Sequence, residues 1–552
     1  MFLSIKLMIT LCVLTIFCIF TLYGCSIFEN YEPYEPVGEV YEPPPPMIYV
    51  SPDGEPENPG TKDEPIDLIT AFTNEDKVKP GYIVWIAGGE YEGPFEAMLS
   101  GTPEDPIIYK AMPGHRARLT LLDYKLESPD PSLLSSFIIK IRAAYVWLWG
   151  LEISAPDNIP PYKEGGQAVW IEDSVHPTYK NNGCKLINLV IHDNIRRQGI
   201  TAFRNGDDQE IYGCIIYRNG KCVDPPGVHG IYTQNSSEGE YVYTTKTFAE
   251  CLIFDNFHGG LCCYSQDNDN DLGNFLIEGV ASWCNGLPGI NATQNFLVYH
   301  KTGETNNIHI HECYSYYPES RGHRVELGDP SRALPSEGGY VNHNLTVEDS
   351  VFASGYEVVL MTQWDSVTFQ RNILYHNYDN PYIPLWVNQL VNPPSESTID
   401  YNTYYSEPAD RPYFRYSDAE PPKDNYEDYT TIEEWREATG WDSNSSLTIG
   451  KPSEPMIYLR PNKYEPYRAH LIIYNWPKTS SVSIDLGGLW EEIKDGDRYS
   501  IVNVENIWDF TPVAEGTYHE GESISIPMTG NYAPEFACYL VTKKKQITEI
   551  DW

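Results

Sequence analysis

Positive charge is scarce in this chain. It carries 38 Lys and Arg against 78 Asp and Glu, a formal net charge of −40 over 552 residues. That excludes nucleic acid as a partner, because phosphate binding needs a basic face. It also opposes a polyanionic glycan such as pectate or alginate unless cations or a local basic cleft offset the field. Zinc-type cysteine spacing is missing as well: there are 12 Cys and no CxxC pair. No nucleophile elbow, P-loop or HExxH occurs, and the Gly-rich pieces are scattered turns. No long apolar run follows the first 25 residues.

What the chain does have is a short pattern repeated over residues 146–406. A few alternating apolar residues are followed by a small or polar residue and a turn. Asn188-Leu189-Val190-Ile191-His192-Asp193-Asn194, Gly213-Cys214-Ile215-Ile216-Tyr217-Arg218-Asn219 and Glu250-Cys251-Leu252-Ile253-Phe254-Asp255-Asn256 are the clearest copies. Aligning Gly150, Leu189, Cys214, Cys251, Val280, Cys313, Ser350, Asn372 and Asn402 as one column gives steps of about 22 to about 39 residues, the range of stacked repeat units. The runs are rich in Ile, Val, Tyr and Phe and are closed by Asn, Gly and Asp, which signals short strands. None could bury its apolar face alone, so each needs a copy above and below. A second row follows the turns, including Gln167-Ala168-Val169-Trp170-Ile171, His229-Gly230-Ile231-Tyr232-Thr233, Gly259-Gly260-Leu261-Cys262-Cys263-Tyr264 and His323-Arg324-Val325-Glu326-Leu327. Two or more strands per coil with unlike turns define a parallel β-helix. The small column residues are expected to point inward and stack, Cys as a small hydrophobe and Asn through amide ladders. Most of the cysteines after residue 25 fall at strand-interior positions, so stacked free thiols are expected rather than a disulfide framework. The 42 Tyr and 13 Trp serve core packing or, where exposed, sugar stacking.

Particular motifs at the ends of this region carry a family resemblance. Tyr49-Val50-Ser51-Pro52-Asp53-Gly54, Asn58-Pro59-Gly60-Thr61, a short amphipathic segment over 66–72 and Val78-Lys79-Pro80-Gly81-Tyr82-Ile83-Val84-Trp85 resemble the start of pectate-lyase-like right-handed β-helix proteins. The 66–72 segment reads as a helix that caps the open lower end. Thr431-Ile432-Glu433-Glu434-Trp435 fits a capping box opening a helix that ends on Gly440. Such a Trp-bearing helix, followed by Gly440-Trp441-Asp442, also resembles these proteins. From Met456 the strands come at short spacing, as in a small antiparallel β-sandwich. At the other end, Lys6, an apolar run over 7–23 and Leu22-Tyr23-Gly24-Cys25 resemble a bacterial lipobox. That resemblance implies export and lipidation of Cys25, and the Pro/Glu/Tyr-rich stretch over 29–47 reads as a tether. The expected organisation is an all-β chain: a lipoprotein signal over 1–25, a tether over 26–47, a right-handed parallel β-helix over 48–446 and a C-terminal β-sandwich over 447–552.

The family holds polysaccharide lyases, glycoside hydrolases and non-catalytic surface proteins, and fold alone does not choose among them. The second row offers His229, Tyr232, Arg324 and Glu326 at corresponding heights on different coils, a shared face of the kind acid–base chemistry needs. On a uronan, Arg324 would neutralise or orient the sugar carboxylate, and His229 or Tyr232 would move the proton. Arg196, Arg197 and Lys301 are further cations for such a substrate, while Trp149 and Trp170 are candidate sugar platforms. Asp267, Asp269, Asp271 and Glu278 have the oxygen spacing of a Ca²⁺ loop, although Leu272 stands where the turn Gly belongs. Two readings stay open: a polysaccharide-cleaving enzyme at the cell surface, or a lipid-anchored glycan-binding or structural solenoid without turnover. Either is expected to act as a monomer.

Overall fold

The computed structural model describes residues 46–544 apart from 122–136, 156–165, 173–179, 195–197, 204–205, 221–227, 236–243, 267–270, 287–293, 319–323, 354–356, 377–382, 408, 410, 423 and 510. Three 12-stranded sheets, here A, B and C, run the length of a parallel β-helix. Each coil contributes one strand to each sheet in that order, as in Lys185–Ile187 (A), Val190–His192 (B) and Ile200–Ala202 (C). Sheet C closes with an antiparallel pair, Phe414–Asp418 with Glu427–Tyr429. The sequence pattern predicts two or more strands per coil; the first row is sheet B, the second is sheet C, and sheet A supplies the third.

Two kinds of turn keep the coils in register. Between sheets A and B the first turn residue adopts a left-handed backbone, at Gly150, Asn188, Gly213, Glu250, Gly279, Glu312, Asp349, Arg371 and Tyr401. That conformation costs a residue with a β-carbon about 1–2 kcal/mol. The next position is the inward column. The register pairs Glu152 with Val190, so the column starts at Leu151 rather than Gly150. Leu151, Leu189, Cys214, Cys251, Val280, Cys313, Ser350 and Asn372 are all fully buried. The Asn372 backbone N–H donates to Asn402 Oδ1 at 3.0 Å, and that of Asn402 to Ser445 Oγ at 2.8 Å. Every described cysteine is a buried free thiol, as the pattern predicted.

The second turn, between sheets B and C, holds a longer amide ladder. Asn219 Nδ2 donates to Asn256 Oδ1, Asn256 Nδ2 to Asn285 Oδ1 and Asn285 Nδ2 to Asn295 Oδ1, each at 3.0 Å. All four asparagines are buried; the first two links run from coil to coil, and the last, Asn285 to Asn295, closes the ladder within one coil.

Both ends are capped. Helix Leu68–Thr73 sits where the sequence placed it; Asp67 accepts from the Thr70 N–H, and Phe72 packs on Tyr109 at 4.5 Å. At the far end, helix Ile432–Thr439 starts with the expected capping box and ends on left-handed Gly440. Its Trp435 is fully buried, stacks on Phe414 and donates to Asp442 Oδ2 at 2.7 Å. Burial pushes the Asp442 carboxyl up, and donors from Ser445, Trp435, Asn402 and Tyr404 pull it back. Strand Ser446–Ile449 still pairs in sheet B, so the β-helix runs three residues past the expected boundary.

The C-terminal strands form a five-stranded antiparallel sheet and a two-stranded one. They pack directly on the β-helix, and residues from Pro46 onward make one compact unit. The seam lies along sheet B, where His192, Tyr217, Phe254 and Trp283 stack with interplanar angles of 5°, 9° and 8°. Trp476, Tyr474, Phe536 and Ile507 cover this stack. Charges flank it: Arg460 bonds Glu250 and Glu312, and Lys463 bonds Glu210.

Asn256 satisfies both neighbours of the amide ladder. Asn256→Ala leaves buried donors and acceptors unpaired on two coils and should lower the unfolding free energy by about 2–3 kcal/mol in a denaturant titration.

Candidate functional site

Sheets A and B are partly covered by the C-terminal strands, whereas sheet C keeps an outward face of its own. Alternation sets that face: in strand Ile231–Thr233 the outer two residues point into the core and Tyr232 points out. Register then aligns Lys140, Trp170, Thr201, Tyr232, Cys262, Leu297, Glu326 and Leu360 in one outward row.

Along this face the rings form a continuous path. Centroid separations are 6.2 Å from Phe137 to Trp170, 6.5 Å to Phe203, 5.7 Å to Tyr232, 6.4 Å to Tyr264 and 5.2 Å to Tyr299. All six are half-buried, so each presents part of its surface to solvent. Five coil steps at the strand spacing make the ribbon about 24 Å long. Lys246 supports it from beneath: its buried ammonium donates to the carbonyls of Ala202, Phe203 and Gln234, and burial pushes its pKa down to about 7.

Polar groups beside the ribbon are held neutral or paired. Gln234 Nε2 donates to the Tyr232 hydroxyl at 3.3 Å. Burial, then Glu326 and Asp329, push the Tyr299 hydroxyl up, so it stays protonated. His229 lies 6.0 Å from the Tyr232 ring and 5.0 Å from His258. The residue is half-buried, and desolvation and then the neighbouring His258 push its pKa down to about 3; burial takes His258 to about 4. His229 Nδ1 accepts from the Gly259 N–H at 3.2 Å, which leaves the proton of the neutral ring on Nε2. His229 therefore carries its N–H on Nε2, beside the Tyr232 ring.

The expected constellation is divided. Tyr232 and Glu326 share the outward row but are three strands apart, about 14 Å along the axis. Strand Phe296–His300, absent from the sequence-derived row, stands between them. Arg324 is committed to two buried carboxylates, with Nε on Glu326 at 2.8 Å and Nη1 on Glu357 at 3.0 Å. Burial works against its charge, but the two glutamates outweigh it and hold the pKa up. A substrate carboxylate would have to displace one of them. Gln294 Nε2 also donates to Glu326, at 2.7 Å.

Trp170 lies on the ribbon, with Lys140 Nζ 3.7 Å from its centroid. Trp149 does not. It belongs to sheet A, where Lys110 covers its ring at 3.2 Å and its Nε1 donates to Glu465 at 2.7 Å, so it is a contact of the C-terminal region. Lys301 is exposed just beyond strand Phe296–His300. Arg196, Arg197, Asp267, Asp269 and Cys25 lie outside the described residues.

The expected Ca²⁺ loop does not close. Asp271 precedes strand Leu272–Glu278 and Glu278 ends it, so more than about 20 Å of extended chain separates two oxygens that should share one ion. Glu278 instead meets His311 and Glu312, and one ligand atom from each lies within 4.8 Å of the others. These three groups could hold a divalent cation, although Glu312 is already bonded to Arg460. Of the three, Glu278 also lines a groove of about 540 Å³ where sheet A meets Pro461 and Lys463, together with Asp208, Glu210 and Glu250.

Comparison with protein-family models finds no match. Among curated proteins, pectate lyase L of Thermoclostridium stercorarium is 24% identical over 249 residues. The match takes in 43% of this chain and 18% of that protein, so the chain spans about a fifth of its relative's length. Several solved structures are similar. Pectate lyase Pel9A has a TM-score of 0.40 and 16% identity over 60% of this chain and 78% of its own. A rhamnogalacturonan lyase has a TM-score of 0.43 and 16% identity over 67% and 84%.

The depressed histidines give a pH signature. Protonation is favoured in the unfolded chain below its ordinary pKa near 6.5, while the folded rings resist it down to about 3 and 4. Stability is therefore full above pH 6.5 and falls on acidification, with a slope of up to about 1.4 kcal/mol per pH unit for each histidine. His229→Gln, which retains an acceptor for Gly259, should remove one proton's share of that slope in melts between pH 7 and pH 4.5.

Proposed function

We propose that this protein binds a polysaccharide along the outer face of sheet C. The aromatic ribbon from Phe137 to Tyr299 carries this reading. Pyranose rings present flat C–H faces that pack on aromatic rings, and their hydroxyls need neutral donors and acceptors at the edges. Tyr232, Gln234 and His229 supply such groups. The ribbon rises one ring per coil, a step close to the length of one sugar unit, so a glycan lying along the axis would meet successive rings with successive sugars. The lipobox-like Cys25, followed by the Pro-rich tether, would hold this face outside a bacterial membrane.

Affinity electrophoresis against plant and algal glycans tests the binding. Phe203→Ala and Tyr264→Ala should each weaken retention by a retained glycan roughly fivefold or more, with melting unchanged. Equal retention of both variants would remove sheet C from the reading. For the anchor, Cys25→Ala should move the protein from the membrane to the soluble fraction; unchanged fractionation would reject lipidation.

Cleavage is the second reading, favoured by the local match to a protein named pectate lyase L. Unsaturated uronide, read by its ultraviolet absorbance, would be the product of a lyase. Lys301, exposed and free of any described ion pair, is then the described base candidate, and Lys301→Ala should lower turnover by on the order of a hundredfold.

A further inference from the structure

Resting on the reading of sheet C as a glycan-binding face, we propose that its ligand is an uncharged polysaccharide, such as a neutral hemicellulose, and not a polyuronate. A polyuronate places a carboxylate on every sugar. A face built for it must offer cations that no protein carboxylate already holds. Among the described residues of sheet C the cations are otherwise engaged. Arg142 Nη1 bonds Glu96 at 3.0 Å at the lower end. Arg324 is shared by Glu326 and Glu357 in the middle, and side chains of both glutamates are about 95% buried, so this group carries a net negative charge where the ribbon ends. Arg415 is bonded through two nitrogens to Asp428 at the upper end. Lys140 is buried beneath Trp170, which leaves exposed Lys301 at the strand edge.

Asp329 adds a further buried negative charge near Tyr299, and the groups that could meet a sugar hydroxyl are uncharged. His229 offers an N–H, Tyr232 and Tyr299 offer hydroxyls, and Gln234 and Gln294 offer amides. Buried donors and acceptors select for a hydroxyl-bearing partner, while unpaired like charges select against a carboxylate-bearing one. The chain's net charge of −40 adds a long-range repulsion that salt would screen.

The test uses the full chain in affinity electrophoresis at low and at moderate salt. One arm holds wheat arabinoxylan, galactomannan, arabinan and mixed-linkage β-glucan. The other holds polygalacturonate and alginate, with and without Ca²⁺. The proposal expects retention by at least one neutral glycan, insensitive to salt and lost in the Phe203→Ala, Tyr264→Ala double variant, with at least tenfold weaker retention by either polyuronate. Stronger retention by polygalacturonate or alginate, falling as salt rises, overturns the proposal and leaves the glycan-binding reading standing. Retention by no glycan of either arm overturns both. Retention by a neutral glycan that the double variant keeps overturns the assignment to this face.

Discussion

The strand spacing of a parallel sheet governs this molecule. Each strand lies about 4.8 Å above the one before it, so whatever stands at one height in a coil must tolerate a copy of itself directly above and below. Inside the coil that restricts the column to small or apolar residues and to side chains that saturate one another, as Asn219, Asn256 and Asn285 do. Outside, the same spacing brings rings into van der Waals reach and generates both aromatic arrays. Caps at the two ends are a further consequence, since the first and last coils have no copy on one side.

The two outward arrays differ in what covers them. On sheet B, His192, Tyr217, Phe254 and Trp283 stack nearly parallel and are closed off by the C-terminal sheet, which makes them an internal joint. On sheet C the rings meet mostly edge to face and stay half-exposed. The C-terminal region thus takes up one apolar stripe of the solenoid and leaves another accessible. Its charged contacts, Arg460 with Glu250 and Glu312 above all, fix which stripe is covered.

Much of this was legible in the sequence. The inward column showed itself because Cys214, Cys251, Cys313, Ser350, Asn372 and Asn402 are what a crowded interior accepts. Both caps could be read from local rules: a short amphipathic segment over 66–72 and a capping box at Thr431. The ladder asparagines Asn194, Asn219 and Asn256 stand in each of the clearest repeats, but they also suit turns, so the sequence marks them only as turn residues. Left-handed positions filled by Glu250, Arg371 and Tyr401 gave no signal, since nothing local marks them. The site was harder to read. Sequence gives a residue's height within its coil, but unequal insertions hide how many coils lie between two residues. Missing the strand Phe296–His300 therefore brought Arg324 too close to His229. Trp149 was misplaced because its partner, Glu465, lies more than 300 residues away in sequence. Nor could a sequence show that Arg324 is already neutralised by Glu357 from the next coil.

The central claim is that the half-exposed ribbon on sheet C is where sugar binds, and a crystal structure with a retained neutral oligosaccharide tests it most directly. Sugar rings should lie over Phe203, Tyr232 and Tyr264, one per coil along the solenoid axis, with no contact to Arg324. Sugar bound instead in the acidic groove between sheet A and Lys463, with the ribbon bare, would contradict the account.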